Sequence, residues 1–159
     1  MDVRILIFFV ISIFANGGFA CRFGWTQNGS LCYLFSHGTS TWAEASATCL
    51  ALNSHLAMIT SDTEQSFLID QLDQLHQTGT SHTRYWIDGT DLEVENVWRW
   101  ALTGDKLTYT AWADGEPNNA QRGNCMNLYE GGGFKMADDD CELRLHYICQ
   151  ENDGANIIG

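Results

Sequence analysis

Basic residues are scarce in this chain. Eight Lys and Arg stand against 20 Asp and Glu, for a net charge of −12. So acidic a surface repels phosphate backbones and anionic headgroups, which excludes nucleic acid and anionic membranes as partners. No Cys-x-x-Cys occurs among the six cysteines, which removes the common zinc and thiol-redox spacings. The five histidines show neither His-x-His nor His-Glu-x-x-His spacing and are read as surface or packing residues. No nucleophile elbow or catalytic Cys/His context is present, so an enzyme is not expected. There is one proline, Pro117.

Long apolar runs are also missing, with one exception. Arg4 precedes Ile5 to Phe14, and Gly17, Gly18 and Ala20 follow. That pattern reads as a signal peptide over residues 1–20, cut before Cys21, and it is short for a membrane span. The mature protein is therefore expected to be secreted and soluble, with one domain over residues 21–150 and a frayed tail over 151–159. An even set of six cysteines in an oxidising compartment implies three disulfides, with fifteen pairings open.

Cys21 to Phe35 reads as a hairpin turning at Gln27-Asn28-Gly29-Ser30. Asn28-Gly29-Ser30 is also an N-glycosylation sequon. Thr41-Trp42-Ala43-Glu44 has the capping-box pattern, and Trp42, Ala45, Cys49 and Leu52 recur at helical spacing, so a helix is predicted over 42–52. His55 to Ile59 reads as a buried strand. Ser61-Asp62-Thr63-Glu64 opens a second helix with the stripe Leu68, Leu72, Leu75. Tyr85-Trp86-Ile87, Cys125 to Tyr129, Phe134 to Ala137 and His146 to Gln150 read as strands. The stretch from Asp88 to Asn124 has little regular pattern, and loops so long usually serve function. The tryptophans at 86, 98, 100 and 112 are read as core, and Tyr129 as a strand-end aromatic with a ligand-stacking platform as the sharper alternative.

Cys21-x-x-Gly24-Trp25, Cys32-Tyr33, Trp42-x-x-Ala45, Cys49, His55-Leu56-Ala57, Trp86-Ile87-x-Gly89, Trp98-x-Trp100, Trp112, Gly115-Glu116-Pro117-Asn118-Asn119, Cys125, Cys141 and Tyr147-Ile148-Cys149 occur in this order. The chain resembles the C-type lectin-like domain, in its long form with an extra N-terminal hairpin. The resemblance implies an α+β fold with two helices, small antiparallel sheets and a long ligand-binding loop. It also selects one pairing of cysteines: Cys21 with Cys32, Cys49 with Cys149, and Cys125 with Cys141.

In sugar-binding members, Ca²⁺ is coordinated directly by two vicinal hydroxyls. Each hydroxyl donates to a carboxylate ligand and accepts from an amide. The Glu-Pro-Asn order goes with mannose-type sugars: mannose, N-acetylglucosamine and fucose. Carried over, the primary Ca²⁺ and sugar site is Glu116, Asn118 and Asp138, with Pro117 cis. An auxiliary Ca²⁺ would use Asp91, Glu95, Asn119 and Asn124. Two departures weaken the set. Gly123 stands where a Glu is usual, and Met136-Ala137-Asp138 stands for Trp-Asn-Asp. Ca²⁺ takes six to eight oxygens, so weaker binding is expected unless Asn124, Asn127, Asp139 or Asp140 compensates. The function implied is Ca²⁺-dependent recognition of mannose-type glycans, as on microbial surfaces in innate immunity. The competing reading is a domain that kept the fold and binds protein, mineral or ice.

Overall fold

The computed structural model describes residues 21–76, 83–118 and 122–152. The expected leader, Asn119 and most of the expected tail lie outside them. The first hairpin pairs β1 (Thr26–Asn28) with β2 (Leu31–Phe35), and Gly29 at φ 62° makes the turn. β2 then pairs antiparallel with β8 (His146–Asn152), so the two ends of the domain meet. β8 continues two residues into the segment expected to fray, because Asn152 still pairs with Leu31.

Helix α1 (Trp42–Ala51) starts where the capping box places it. Glu44 N–H donates to Thr41 Oγ1 at 3.3 Å, and Thr41 N–H to Glu44 Oε2 at 3.2 Å. Helix α2 (Asp62–Leu75) uses half of its box. Ser61 Oγ accepts from Glu64 N–H at 3.3 Å, but the Glu64 carboxylate turns away. It accepts instead from Thr60 N–H and Oγ1 (2.8 and 2.7 Å) and from the buried Tyr33 phenol (3.0 Å). A buried carboxylate needs several donors, and the core supplies more than the helix start. The α2 stripe also stops early: Leu68 and Leu72 are buried, whereas Leu75, in the last turn, is 56% exposed.

Short β3 (His55–Leu56) pairs with β8. Pairing ends at Leu56, although Ala57 and Ile59 remain buried. β4 (Arg84–Thr90) runs parallel to β8 and antiparallel to β5 (Arg99–Trp100) and β6 (Cys125–Tyr129). β7 (Lys135–Asp139) completes the order β1-β2-β8-β4-β6-β7. Phe134, expected to open that last hairpin's return strand, lies in the turn with φ 52°.

β4 organises the core. Its residues 85–89 are buried, and successive side chains face opposite sides. Trp86 joins Ala45 and Cys49 of α1, while Tyr85 and Ile87 join Leu68 and Leu72 of α2. The three disulfides link Cys21 to Cys32, Cys49 to Cys149 and Cys125 to Cys141. Among the described residues no helix is long and apolar enough to cross a membrane.

Candidate functional site

Past Thr90 the chain leaves the sheet and, apart from short β5, rejoins it at Cys125. Polar contacts hold this excursion. Thr90 Oγ1 donates to the Asn124 carbonyl at 2.7 Å and Asp91 N–H to the same oxygen at 3.3 Å, closing the base of the loop. Asp91 Oδ2 accepts from Asn96 N–H at 2.8 Å. Asp88, 2% exposed, accepts from Leu102 N–H at 3.0 Å. Burial pushes the Asp88 carboxyl up to about 7, with the backbone amides at 102 and 101 opposing. Trp98 and Trp112 meet edge to face, ring centroids 5.1 Å apart, and pack on the core from inside the loop.

Trp112 carries the Glu-Pro-Asn segment onto β7. It bridges Met136, and Ala113 N–H donates to Met136 O at 2.8 Å. A tight turn follows. Glu116 N–H donates to Ala113 O at 3.0 Å, and Gly115 takes φ 87°. The Glu116–Pro117 peptide is cis. Asn118 N–H then donates to Asp138 Oδ1 at 2.6 Å, so both ends of the segment dock on one strand.

This docking brings two carboxyls together. Asp138 is 2% exposed, and Glu116 faces it. Burial first, and then the Asp138 carboxylate, push the Glu116 carboxyl up to about 7. Glu116 Oε2 is buried and accepts no hydrogen bond. Adjacent carboxylates of this kind need a proton or a cation between them. Asn118 sits beside the pair, exposed.

Asp91, Glu95, Asn118 and Asp138 share a cleft of about 80 Å³ with Asn96, Trp98, Pro117 and Gly123. Asp91 is 4% exposed, and its Oδ1 has no partner. Asn124 does not line the cleft; its carbonyl closes the loop base instead. Asn119 lies outside the described residues. Among those described, no three His, Cys, Asp or Glu side chains converge on a metal-sized centre. The unpartnered oxygens of Glu116 and Asp91 suit a hard cation. The shortage of oxygen ligands, traceable to Gly123 and Ala137, suits a weak one.

Of the residues that would compensate, Asn127 and Asp139 are committed elsewhere. Asn127 Nδ2 donates to Asp139 Oδ2 at 2.9 Å, and Arg84 pairs with the same carboxylate. Asp139 is one residue from Asp138 and so projects from the other face of β7. Asp140 is exposed, and its Oδ1 accepts from Glu142 N–H at 3.0 Å. Asn28 lies at the end of β1, by the first hairpin turn. The sequence pattern missed two cleft residues. Trp98 was legible only as core, yet its Nε1 is buried without a partner at the cleft. Asn96 takes φ 63°, a conformation asparagine tolerates, and its residue type was the available signal.

The C-type lectin domain, as a family model, matches residues 38–151. The chain belongs to this family, whose domains are binding modules rather than enzymes. It is 30% identical over 155 residues to a perlucin-like protein of Mytilus galloprovincialis, covering 92% of this chain and 96% of that one. It is 31% identical over 134 residues to the galactose-specific lectin nattectin of Thalassophryne nattereri, covering 84% and 81%. A solved calcium-independent type II antifreeze protein superposes with a TM-score of 0.71 at 27% identity, over 84% of this chain and 95% of its own length.

Proposed function

We propose that the protein is a secreted, Ca²⁺-dependent lectin that holds a mannose-type sugar, such as mannose, N-acetylglucosamine or fucose, at Glu116, Asn118 and Asp138. The observation that carries this reading is the meeting of Glu116 and Asp138 with a buried, unpartnered Glu116 oxygen beside Asn118. A divalent cation neutralises such a pair, and when bound it supplies a centre that takes hydroxyl oxygens as ligands. Glu116 accepts a hydrogen bond from a hydroxyl, and the Asn118 amide donates one to a hydroxyl oxygen. Three disulfides require an oxidising compartment, which supports secretion. Dense glycans, such as those of microbial surfaces, suit a single weak site, because clustering raises avidity.

The test is retention of the purified protein on mannose resin in millimolar Ca²⁺ with release by EDTA. Passage through mannose resin with Ca²⁺-dependent retention on galactose resin would move the specificity to galactose. No retention on either would favour a second reading, in which the same face binds protein, mineral or ice. Gly123 and Ala137, which remove two donors, are the observation that favours it, together with the likeness to a calcium-independent relative.

A further inference from the structure

A second groove includes Glu116 of the candidate sugar site in its wall. Its volume is about 270 Å³, and Asp114, Glu116, Tyr129, Gly131, Gly132 and Lys135 line it. Strand register builds one wall. Tyr129 of β6 and Lys135 of β7 are direct cross-strand partners, so their side chains share a face. Arg84 of β4 is the next residue in the row, with its guanidinium 4.6 Å from the centre of the Tyr129 ring.

The turn between β6 and β7 builds the other wall. Gly133 and Phe134 take φ 71° and 52°. That conformation is costly for a phenylalanine and is held because the Phe134 ring is buried in the core. The turn is thereby pressed against its surroundings. A Cβ at Gly131 would fall 2.2 Å from Tyr129 Oη, and one at Gly132 would fall 2.6 Å from Ala113 Cβ. Glycine alone lets the turn close here.

The groove's chemistry is mixed in a particular way. Lys135 is exposed and forms no ion pair among the described residues, whereas Arg22, Arg84 and Arg144 are all paired. An aromatic ring, a free ammonium donor and the Asp114 carboxylate therefore surround one space. Its volume is close to the lower end of small-molecule sites, about 300 Å³. A sugar ring matches these groups: its C–H face lies on an aromatic, and its hydroxyls bond to ammonium and carboxylate. Glu116, a member of the candidate sugar set, also lines this groove.

Resting on the sugar reading of Glu116, Asn118 and Asp138, we propose that this groove is a second subsite. It takes the next sugar of an oligosaccharide whose terminal residue is held at Glu116. Tyr129 is the platform, and Lys135 donates to the second sugar's oxygens. The chain then selects oligosaccharides over monosaccharides without a second metal.

Calorimetric titration in millimolar Ca²⁺ tests this. The probes are the methyl glycosides of mannose, N-acetylglucosamine and galactose, each beside its trisaccharide. For the sugar that binds, the trisaccharide should bind about tenfold tighter than the methyl glycoside. Tyr129→Leu should remove about fivefold of that gain and Lys135→Gln about threefold, with the methyl glycoside affinity unchanged. Thermal melts check that each variant folds. Should Tyr129→Leu misfold, the exposed Lys135→Gln keeps the test intact. A trisaccharide no tighter than its monosaccharide, or a gain that survives in the folded variants, overturns the subsite alone. Absence of all binding to the unmutated protein overturns the sugar reading itself, and the subsite with it.

Discussion

Around Cys149, β2 and β3 flank β8, α1 is tied on by the Cys49 disulfide, and the neighbouring side chains are buried and apolar. Around Glu116, beyond the packing of Trp98 and Trp112 on the core, the chain is held by single polar contacts: a carbonyl at 124, the carboxylates of Asp88, Asp91 and Asp138, and one bridge to Met136. The first region has many small, redundant contacts, so no one of them is decisive beyond the covalent link. The second depends on a few charged groups, so one substitution or one proton alters it. The difference shows how a rigid frame tolerates changes at its ligand loop: Gly123 and Ala137 alter the site without touching the contacts that define the fold.

The largest expected effect breaks the frame. Cys49→Ala with Cys149→Ala removes the closure of a 100-residue loop. In the chain-entropy model that costs about 4–5 kcal/mol. The urea midpoint should fall accordingly, and Ca²⁺ should not restore it. Next comes the loop. If Glu116, Asn118 and Asp138 hold Ca²⁺, a hundredfold excess over Kd adds about 2.7 kcal/mol, roughly 10 °C in Tm for a domain of this size. EDTA or acid should reverse the shift, and Asp138→Ala should abolish it while the disulfide-held fold persists. No shift in the unmutated protein at millimolar Ca²⁺ would remove the metal from the site.

A smaller effect concerns pH. Asp88 titrates at about 7 folded and at 3.8 when unperturbed. The folded state therefore holds the proton more tightly. Its stabilising contribution is complete below 3.8 and is lost as pH rises through 7. In EDTA, Asp88→Asn should flatten the fall in Tm between pH 4 and 8, with a difference of at least about 1 kcal/mol at the alkaline end. Parallel curves for the two proteins would show that Asp88 does not govern the loop. The smallest effect is on specificity. Glu116→Gln with Asn118→Asp exchanges acceptor and donor about Pro117 and should shift preference from mannose toward galactose by about fivefold. Unchanged binding of both sugars would place the site elsewhere.

Much of the frame was legible. Thr41 and Glu44 marked the start of α1, and Ala45 and Cys49 marked its buried side, because caps and periodicity are local properties. The errors arose where a distant partner intervened. Glu64 left its helix cap for Tyr33 and Thr60. Leu75 lost its cover at the end of α2. Phe134 exchanged strand geometry for a buried ring in a turn. At the site, the Glu-Pro-Asn segment could be read directly, but Trp98 looked like any core aromatic, and nothing in the order of residues placed its indole nitrogen at a cleft.

By itself the sequence determined the acidic character, the two capped helices, the strand-rich segments and the length of the unpatterned loop, since each follows from residue types and their near neighbours. The tertiary structure decided which carboxylates meet. Asp138, Asp139 and Asp140 are consecutive and chemically alike. Pairing of β7 with β6 sets Met126 opposite Asp138 and Cys125 opposite Asp139. Because side chains alternate along a strand, that register turns Asp138 toward Glu116 and Asp139 toward Arg84. A slip of one residue would exchange them, and only the long-range pairing of the sheet prevents it.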